Sequence, residues 1–95
     1  MEQTENTKVS LGRVVATPGA LSALEEACES ALGYLMRHAS GDWGDVPPED
    51  WEENEFSLTN DFRLLSSYTL RNETRIWIIT EADRSITTIL LPEEY

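Results

Sequence analysis

Residues 63–91 read RLLSSYTLRNETRIWIITEADRSITTILL and decide the fold class. They contain three short runs that are rich in β-branched and aromatic residues, at 63–70, 75–80 and 86–91. Runs of this composition, separated by polar residues, are typical of β-strands. The C-terminal third of the chain is therefore predicted to form β-structure.

Two polar segments, 71–74 and 82–85, separate these runs and are short enough to be hairpin turns. Consecutive strands joined by hairpins pair in the antiparallel sense, so the natural assembly is a three-stranded antiparallel meander. The apolar run at 76–79 suits its central strand, buried on both faces. Pro92 is expected to end the last strand because proline cannot donate to the ladder.

A helical pattern precedes the meander. Thr17 and Pro18 form a helix start signal, with threonine as N-cap and proline at the first helical position. Apolar residues then recur at three- and four-residue steps, which is typical of an amphipathic helix. These residues are Leu21, Leu24, Cys28, Ala31, Leu32, Leu35 and Met36.

The pattern reaches Ala39 and allows two interpretations. It is either one helix or two helices broken near Glu29 and Ser30, where Ser30 would cap the second. Gly33 weakens a continuous helix by roughly 1 kcal/mol relative to alanine. We favour two helices.

Residues 40–45, SGDWGD, form a loop by their glycine and aspartate content. Pro47 and Pro48 then open a third helix, with Glu49 and Asp50 in its first turn, where the helix dipole favours anions. This helix has few apolar residues, so it should dock through a narrow stripe and leave most of its surface in water.

Together these elements predict an α+β fold. An N-terminal extended strand within residues 9–16 comes first, two to three helices follow, and the three-stranded antiparallel meander ends the chain. We expect a flexible tail at residues 1–8 and a single α+β domain at residues 9–95.

The composition bounds the location of the protein. Its one cysteine, Cys28, cannot form an internal disulfide, which is typical of a reducing compartment. The polar, acidic N-terminus is unlike a secretory signal. No apolar run approaches the roughly 20 residues that span a bilayer. We therefore expect a cytoplasmic protein.

The charge bounds the partners. The chain carries 18 acidic and seven basic residues, for a net charge of −11. Direct DNA or RNA binding is disfavoured, because its affinity comes mainly from lysine and arginine, and anionic membranes are disfavoured for the same reason. A basic protein partner is favoured, because complementary charge steers encounter. The simpler interpretation is that acidity keeps a small protein soluble.

Catalytic and metal-binding residues are scarce. Cys28 and His38 are the only cysteine and histidine, and on a continuous helix they would not meet. We predict a buried structural thiol for Cys28 and, for His38, a helix C-terminal residue that interacts with the dipole. A structural zinc site needs four such ligands, and no phosphate-binding glycine-rich loop occurs. We expect no catalytic site, no metal and no cofactor.

The acidic segment between Arg37 and Arg63 is the remaining signal, since it contains eight acids and no lysine or arginine. Like charges three and four residues apart repel one another and weaken an isolated helix. The segment is therefore either a solvated face or a protein-binding face. Trp43 and Trp51 flank it, as core residues or as interface anchors. The candidate partner-binding residues are Asp42, Trp43, Asp45, Glu49, Asp50, Trp51, Glu52, Glu53 and Glu55.

Three blocks of the sequence, LGRVVATPGAL at 11–21, RHASGDWGDV at 37–46 and IWIITEADRSITTILLPEEY at 76–95, carry a family resemblance. The chain resembles small uncharacterised "plasmid-related" proteins of bacterial plasmids, integrative elements and phage islands, some labelled type I restriction endonuclease subunit M. The resemblance implies a genetic context of mobile elements and brings no catalytic residues. Where this chain has Ser30 and Ala31, the family often has Ser-Pro, which agrees with two helices.

Three function classes follow. The leading hypothesis is a non-enzymatic protein of mobile genetic elements that binds a basic, nucleic-acid-handling host protein. It would be an anti-defence inhibitor, of the anti-CRISPR or anti-restriction kind, that acts by nucleic-acid mimicry. The alternative is a housekeeping accessory or structural module that forms a homodimer through a strand edge. The third is a small enzyme or metabolite binder with a pocket near Trp43.

Overall fold

The computed structural model describes residues 7–95 and contains one sheet with three helices. Its strands are β1 (Arg13–Ala16), β2 (Leu64–Thr69), β3 (Arg75–Thr80) and β4 (Ile86–Leu90). Its helices are α1 (Pro18–Glu26), α2 (Ala31–Ala39) and α3 (Pro48–Asn60), and a short 3-10 turn covers Pro92–Glu94. The predicted α+β class is confirmed.

The sheet is mixed, with the strand order β1-β4-β3-β2. The three C-terminal strands pair antiparallel, as expected of the meander. β1 adds to β4 in the parallel sense, with Val14 beside Thr87. The N-terminal strand was predicted within residues 9–16, but its pairing with β4, which makes the sheet four-stranded and mixed, was not. A parallel pair needs a long crossover, and no local turn signal marks such a pairing in the sequence.

α1 and α2 are separate helices, which confirms the two-helix prediction. The Thr17 Oγ1 atom accepts a hydrogen bond from the Ala20 N–H at 3.1 Å, and the Ser30 Oγ atom accepts one from the Leu32 N–H at 3.1 Å. Each cap satisfies an N–H group that has no partner inside the helix. Two short hydroxyl side chains therefore set where the helices begin.

Cys28 is exposed, so the prediction of a buried structural thiol was wrong. α1 ends at Glu26, and Cys28 adopts the left-handed conformation, with φ at +56°, that commonly follows a helix C-terminus. The chain turns there, so the helical spacing that linked Cys28 to the apolar stripe no longer applies. Other members of that stripe are also exposed, namely Leu21, Leu32 and Met36.

One face of the sheet packs against α1 and α2 and forms the main core. The strands contribute Tyr68, Ile76, Ile78 and Ile89, and α1 contributes Ala20, Ala23 and Leu24. A second cluster of buried residues joins Trp43 to Val9 and Leu64. The loop before α3 is thereby fixed to the start of β2.

α3 lies beside β2, at the end of the sheet opposite β1. It begins at Pro48 with Pro47 in the N-cap position, as the Pro47-Pro48 pair predicts. Its buried residues are Asn54 and Ser57, and Leu58 packs on the cluster around Trp43. Such a narrow contact leaves most of the helix surface in water, as the sequence indicates.

The flexible tail predicted at residues 1–8 is described only in part. Residues 1–6 of the predicted tail at 1–8 lie outside the described residues. The Lys8 and Val9 N–H groups both donate to the Ala39 carbonyl, at 2.7 and 3.0 Å.

Within residues 7–95, no helix has the length and apolarity that a membrane crossing requires.

Candidate protein-binding surface

The outward side of α3 carries three of the predicted carboxylates. At about 100° per residue, Glu49, Glu52 and Glu53 fall within an arc of roughly 100° that is centred away from the buried Asn54 and Ser57. All three are exposed, and Phe56 lies within the same arc. We call Glu49, Glu52, Glu53 and Phe56 the outer face of α3.

Asp50 and Glu55 lie to either side of the outer face. Asp50 lines a pocket of about 260 Å³ between α3 and β2, together with Glu53, Asn54, Arg63 and Leu65. On the other side, the Glu55 Oε2 atom accepts a hydrogen bond from the Trp43 indole N–H at 2.9 Å. Glu55 therefore holds the preceding loop to α3, and its carboxylate is partly engaged inside the protein.

Trp43 is completely buried, at 0% exposure. Its ring packs edge-on against His38, with ring centroids 5.6 Å apart, and contacts the Val9 and Leu64 cluster. Of the two interpretations for this residue, core packing applies, and its assignment as a partner-binding residue was wrong. The pocket beside α3 is lined by other residues than Trp43.

The Asp42 and Asp45 side chains form contacts that hold their loop in place. The Asp42 Oδ2 atom pairs with the Arg37 Nε at 2.8 Å, and the hydrogen bond from this guanidinium lowers the pKa of the Asp42 carboxyl below its usual value. The Asp45 Oδ2 atom accepts from the Thr69 hydroxyl at 2.9 Å. Both residues thus fix the loop to α2 and β2.

Gly44 brings the loop against the edge of β2. The Ser67 N–H donates to the Trp43 carbonyl at 3.1 Å, and the Asp45 N–H donates to the Ser67 carbonyl at 2.7 Å. Gly44 has φ at +79°, and a Cβ atom at this position would collide with the Ser67 carbonyl oxygen and the Tyr68 ring. The close packing of this loop backbone against β2 therefore explains the GDWG block.

Trp51 is 36% exposed and lies between the outer face and the buried side of α3. The structure therefore brings together Glu49, Glu52 and Glu53 on one surface, whereas Trp51 lies about 100° from Glu52, on the side of Leu58. Asp42, Trp43, Asp45 and Glu55 belong to the loop packing instead.

The sequence interpretation missed an exposed aromatic pair. The Phe56 and Phe62 rings stack nearly parallel, with centroids 6.0 Å apart and planes inclined by 12°, and each side chain is 54% exposed. Phe56 is one of the few apolar residues of α3, through which the sequence predicts docking, and for Phe56 that prediction was wrong. A helical projection could have found it, because Phe56 lies about 160° from Leu58, which packs inward.

Arg84 fixes the backbone beneath this pair. Its guanidinium donates to the Phe62 carbonyl at 2.8 Å and to the Ser57 carbonyl at 3.0 Å, at the C-terminal end of α3. The Asn60 amide donates to the Phe56 carbonyl at 2.9 Å. The Ser57 carbonyl also accepts from the Asp61 and Phe62 N–H groups, so the two rings are held on an ordered turn.

His38 lies in the last turn of α2, as predicted, but it is fully buried, and the predicted interaction with the helix dipole was wrong. Its Nδ1 atom lies 2.6 Å from the Ser66 Oγ, and its Nε2 atom lies 2.8 Å from the Thr80 Oγ1. Burial, with a smaller contribution from Arg84, lowers the pKa of His38 to about 4. The imidazole is therefore neutral near pH 7 and cannot act as a cation at the dipole.

The hydrogen bonds around His38 allow one consistent assignment of donors and acceptors. The Thr87 hydroxyl donates to the Leu11 carbonyl at 2.7 Å, so it accepts from the Thr80 hydroxyl, 2.8 Å away. Thr80 in turn accepts from the His38 Nε2–H, which leaves Nδ1 to accept from Ser66. The Ser66–His38 pair has no exposed surface, so we interpret this contact as structural.

Comparison with protein-family models, curated proteins and solved structures found no significant match. The resemblance to small plasmid-related proteins remains a prediction. Within residues 7–95, no three or more His, Cys, Asp or Glu side chains are grouped to hold a metal ion. The surface chemistry of α3 thus carries the functional argument.

Proposed function

We propose that this chain is a non-enzymatic acidic protein that binds a basic, nucleic-acid-handling protein through the outer face of α3. The observation that carries the proposal is the placement of Glu49, Glu52 and Glu53 together on an exposed helix face. Among residues 7–95, the ion pairs join Arg37 to Asp42 and Arg71 to Glu29, and neither pair includes a carboxylate of α3.

The charge of this face matches a surface built for nucleic acid. The Cβ atoms of residues three and four apart on a helix stand about 5–6 Å from one another, a scale similar to that of phosphates along a strand. A groove lined by lysine and arginine would attract such a face at long range. By occupying the groove, the helix would exclude the nucleic acid.

The resemblance to proteins of plasmids, integrative elements and phage islands supplies a biological setting for this binding. In that setting the partner is a defence protein of the host, and the chain acts as an anti-CRISPR or anti-restriction inhibitor by mimicry. The net charge of −11 supports a basic partner in either case.

Capture from host lysate at low and high salt tests the proposal. The immobilised chain should retain a basic protein at low salt and release it at high salt, because screening weakens attraction between exposed charges. The variant E49Q/E52Q/E53Q should lose the capture. Its matched control is E25Q/E26Q/E93Q, which removes three exposed carboxylates elsewhere and should retain it.

Competition by nucleic acid then tests mimicry itself. DNA or RNA added to the captured complex should displace the chain, because both ligands would need the same groove. Capture that is insensitive to salt and to the substitutions on α3 would contradict the proposal. A partner that binds the chain and the nucleic acid at once would contradict mimicry.

A second candidate function, a structural module that forms a homodimer, is favoured by the exposed edge of β1. β1 pairs with β4 on one side, and its Val14 and Val15 side chains are exposed. An edge strand of this kind can pair with a second copy. Sedimentation should then show a stable dimer that Val15→Lys converts to monomer, whereas a monomeric wild-type chain would remove this candidate.

A further inference from the structure

The stacked Phe56 and Phe62 rings form an apolar spot inside an acidic surface. Each ring is about half exposed, and the only other apolar residue between them, Leu58, packs inward. Large exposed aromatic side chains that lie together commonly mark an interaction site. We propose that this pair receives an arginine side chain of the protein partner, so that the partner presents arginine rather than lysine at this point.

This inference rests on the proposed function and adds the chemical identity of the contacting residue. Carboxylates neighbour both members of the aromatic pair along the chain. Glu52 and Glu53 lie four and three residues before Phe56, on the adjacent turn of α3, and the exposed Asp61 directly precedes Phe62. The ring faces attract cations through their quadrupole, and the carboxylates attract them through charge.

A guanidinium satisfies both features better than an ammonium does. It is planar and weakly hydrated, so it can stack on an aromatic ring while its N–H groups pair with a carboxylate. A lysine ammonium is a compact, strongly hydrated charge that cannot stack in this way. The near-parallel rings and the neighbouring carboxylates therefore select arginine.

The fold contains the same arrangement within its own chain. The Arg37 guanidinium carbon lies 4.6 Å from the centre of the Tyr68 ring, while its Nε donates to the Asp42 carboxylate at 2.8 Å. One guanidinium thus meets an aromatic face and a carboxylate at once. At the outer face of α3, the ring and the carboxylates are supplied by this chain and the guanidinium by the partner.

The site is held in place before binding. Arg84 fixes the Ser57 and Phe62 carbonyls, and Asn60 bonds the Phe56 carbonyl. A backbone fixed in this way reduces the entropy lost when the rings meet a ligand. The aromatic pair should therefore contribute mainly to complex lifetime, while the carboxylates contribute mainly to the rate of encounter.

Two peptides of equal charge test the inference with defined probes. Binding of nona-arginine and of nona-lysine to the full chain would be measured by calorimetry at low salt. An exposed cation–π contact is worth about 0.5–1 kcal/mol, so nona-arginine should bind about two- to five-fold more tightly than nona-lysine. The double variant F56L/F62L keeps an apolar surface and removes the ring faces.

In F56L/F62L the affinity for nona-arginine should fall to about that for nona-lysine, whereas the affinity for nona-lysine should change much less. Both rings are exposed, and the far-ultraviolet circular dichroism of the variant would verify its fold. A preference for arginine that persists in F56L/F62L would assign it to the carboxylates and overturn the inference. Equal affinity of the wild type for both peptides would overturn it as well.

These outcomes separate the inference from the proposed function. If both peptides bind the wild type equally and E49Q/E52Q/E53Q lowers the affinity for both, binding to the outer face of α3 is supported and the arginine site is contradicted. If neither peptide binds in a salt-dependent way, the acidic face fails and the arginine site fails with it.

Discussion

The side-chain amide of Asn54 in α3 pairs with both backbone groups of Leu65 in β2. The Asn54 Nδ2 donates to the Leu65 carbonyl at 2.8 Å, and the Leu65 N–H donates to the Asn54 Oδ1 at 3.1 Å. The amide thus completes the hydrogen bonding of this strand edge as a further strand would. It also fixes the height and rotation of α3, and with them the direction in which the outer face points.

Replacing Asn54 should therefore destabilise the fold. Asn54→Ala leaves two part-buried backbone groups of Leu65 without partners, and each such group costs about 1–3 kcal/mol. We expect the free energy of unfolding in urea to fall by about 2–4 kcal/mol. Asn54→Asp keeps the acceptor and loses the donor, so its loss should be a large part of that of the alanine variant. A change below about 0.5 kcal/mol in both variants would contradict this role.

The stability should depend on pH through His38. The pKa of His38 is about 4 in the folded state, below the ordinary value of 6.5, so between these values the unfolded chain binds a proton that the folded chain does not. The part of the free energy of unfolding that depends on a neutral His38 is fully present above about pH 6.5 and is lost as the pH falls towards 4. The total is roughly 3 kcal/mol.

Urea unfolding between pH 7.5 and pH 4 measures this loss. A variant without a titrating imidazole, His38→Asn, should show a shallower decline, and the difference between the two curves isolates the histidine from the carboxylates. Parallel curves for the wild type and His38→Asn would show that the imidazole titrates alike in both states.

Two glycines offer a matched comparison. Gly44 has positive φ and no room for a Cβ atom, so Gly44→Ala should cost about 2 kcal/mol or more. Gly33 lies inside α2, and apart from its chain neighbours and the helix backbone nothing lies within 4 Å of the space that a Cβ atom would take, so Gly33→Ala should stabilise by about 0.5–1 kcal/mol. Thermal unfolding would measure both. Equal effects of the same sign would contradict the local geometry given for either position.

The Cys28 thiol should react in the native state. Because the residue is exposed after the end of α1, a thiol reagent such as DTNB should label one equivalent without denaturant. Labelling in denaturant gives the reference rate. If native labelling proceeded only at the rate of global unfolding, Cys28 would be buried after all.

The features that could be predicted from sequence are those with local causes. The Thr17 cap, the Ser30 cap and the Pro47-Pro48 start each act within one helical turn, and the hairpins need four-residue turns. The three predicted strands accordingly agree with the structure to within one residue at each end.

The features that the sequence did not predict depend on distant residues. β1 pairs with β4, which lies at the other end of the sequence. His38 is buried because Ser66 in β2 and Thr80 in β3 supply its hydrogen bonds. Trp43 is buried because Gly44 allows its loop to approach β2 closely. For the candidate surface, the carboxylates could be predicted from helical spacing, whereas the stacking of Phe56 on Phe62 required the turn after α3.

The most direct test of the central claim compares dissociation constants for the basic protein that the chain captures from host lysate. The E49Q/E52Q/E53Q variant should bind it roughly three-fold to a hundred-fold more weakly than the wild type, since each exposed ion pair contributes about 0.2–1 kcal/mol. The E25Q/E26Q/E93Q variant, with the same change in net charge, should bind within about twofold of the wild type. Equal weakening by both triple variants would assign binding to net charge and contradict a specific surface on α3.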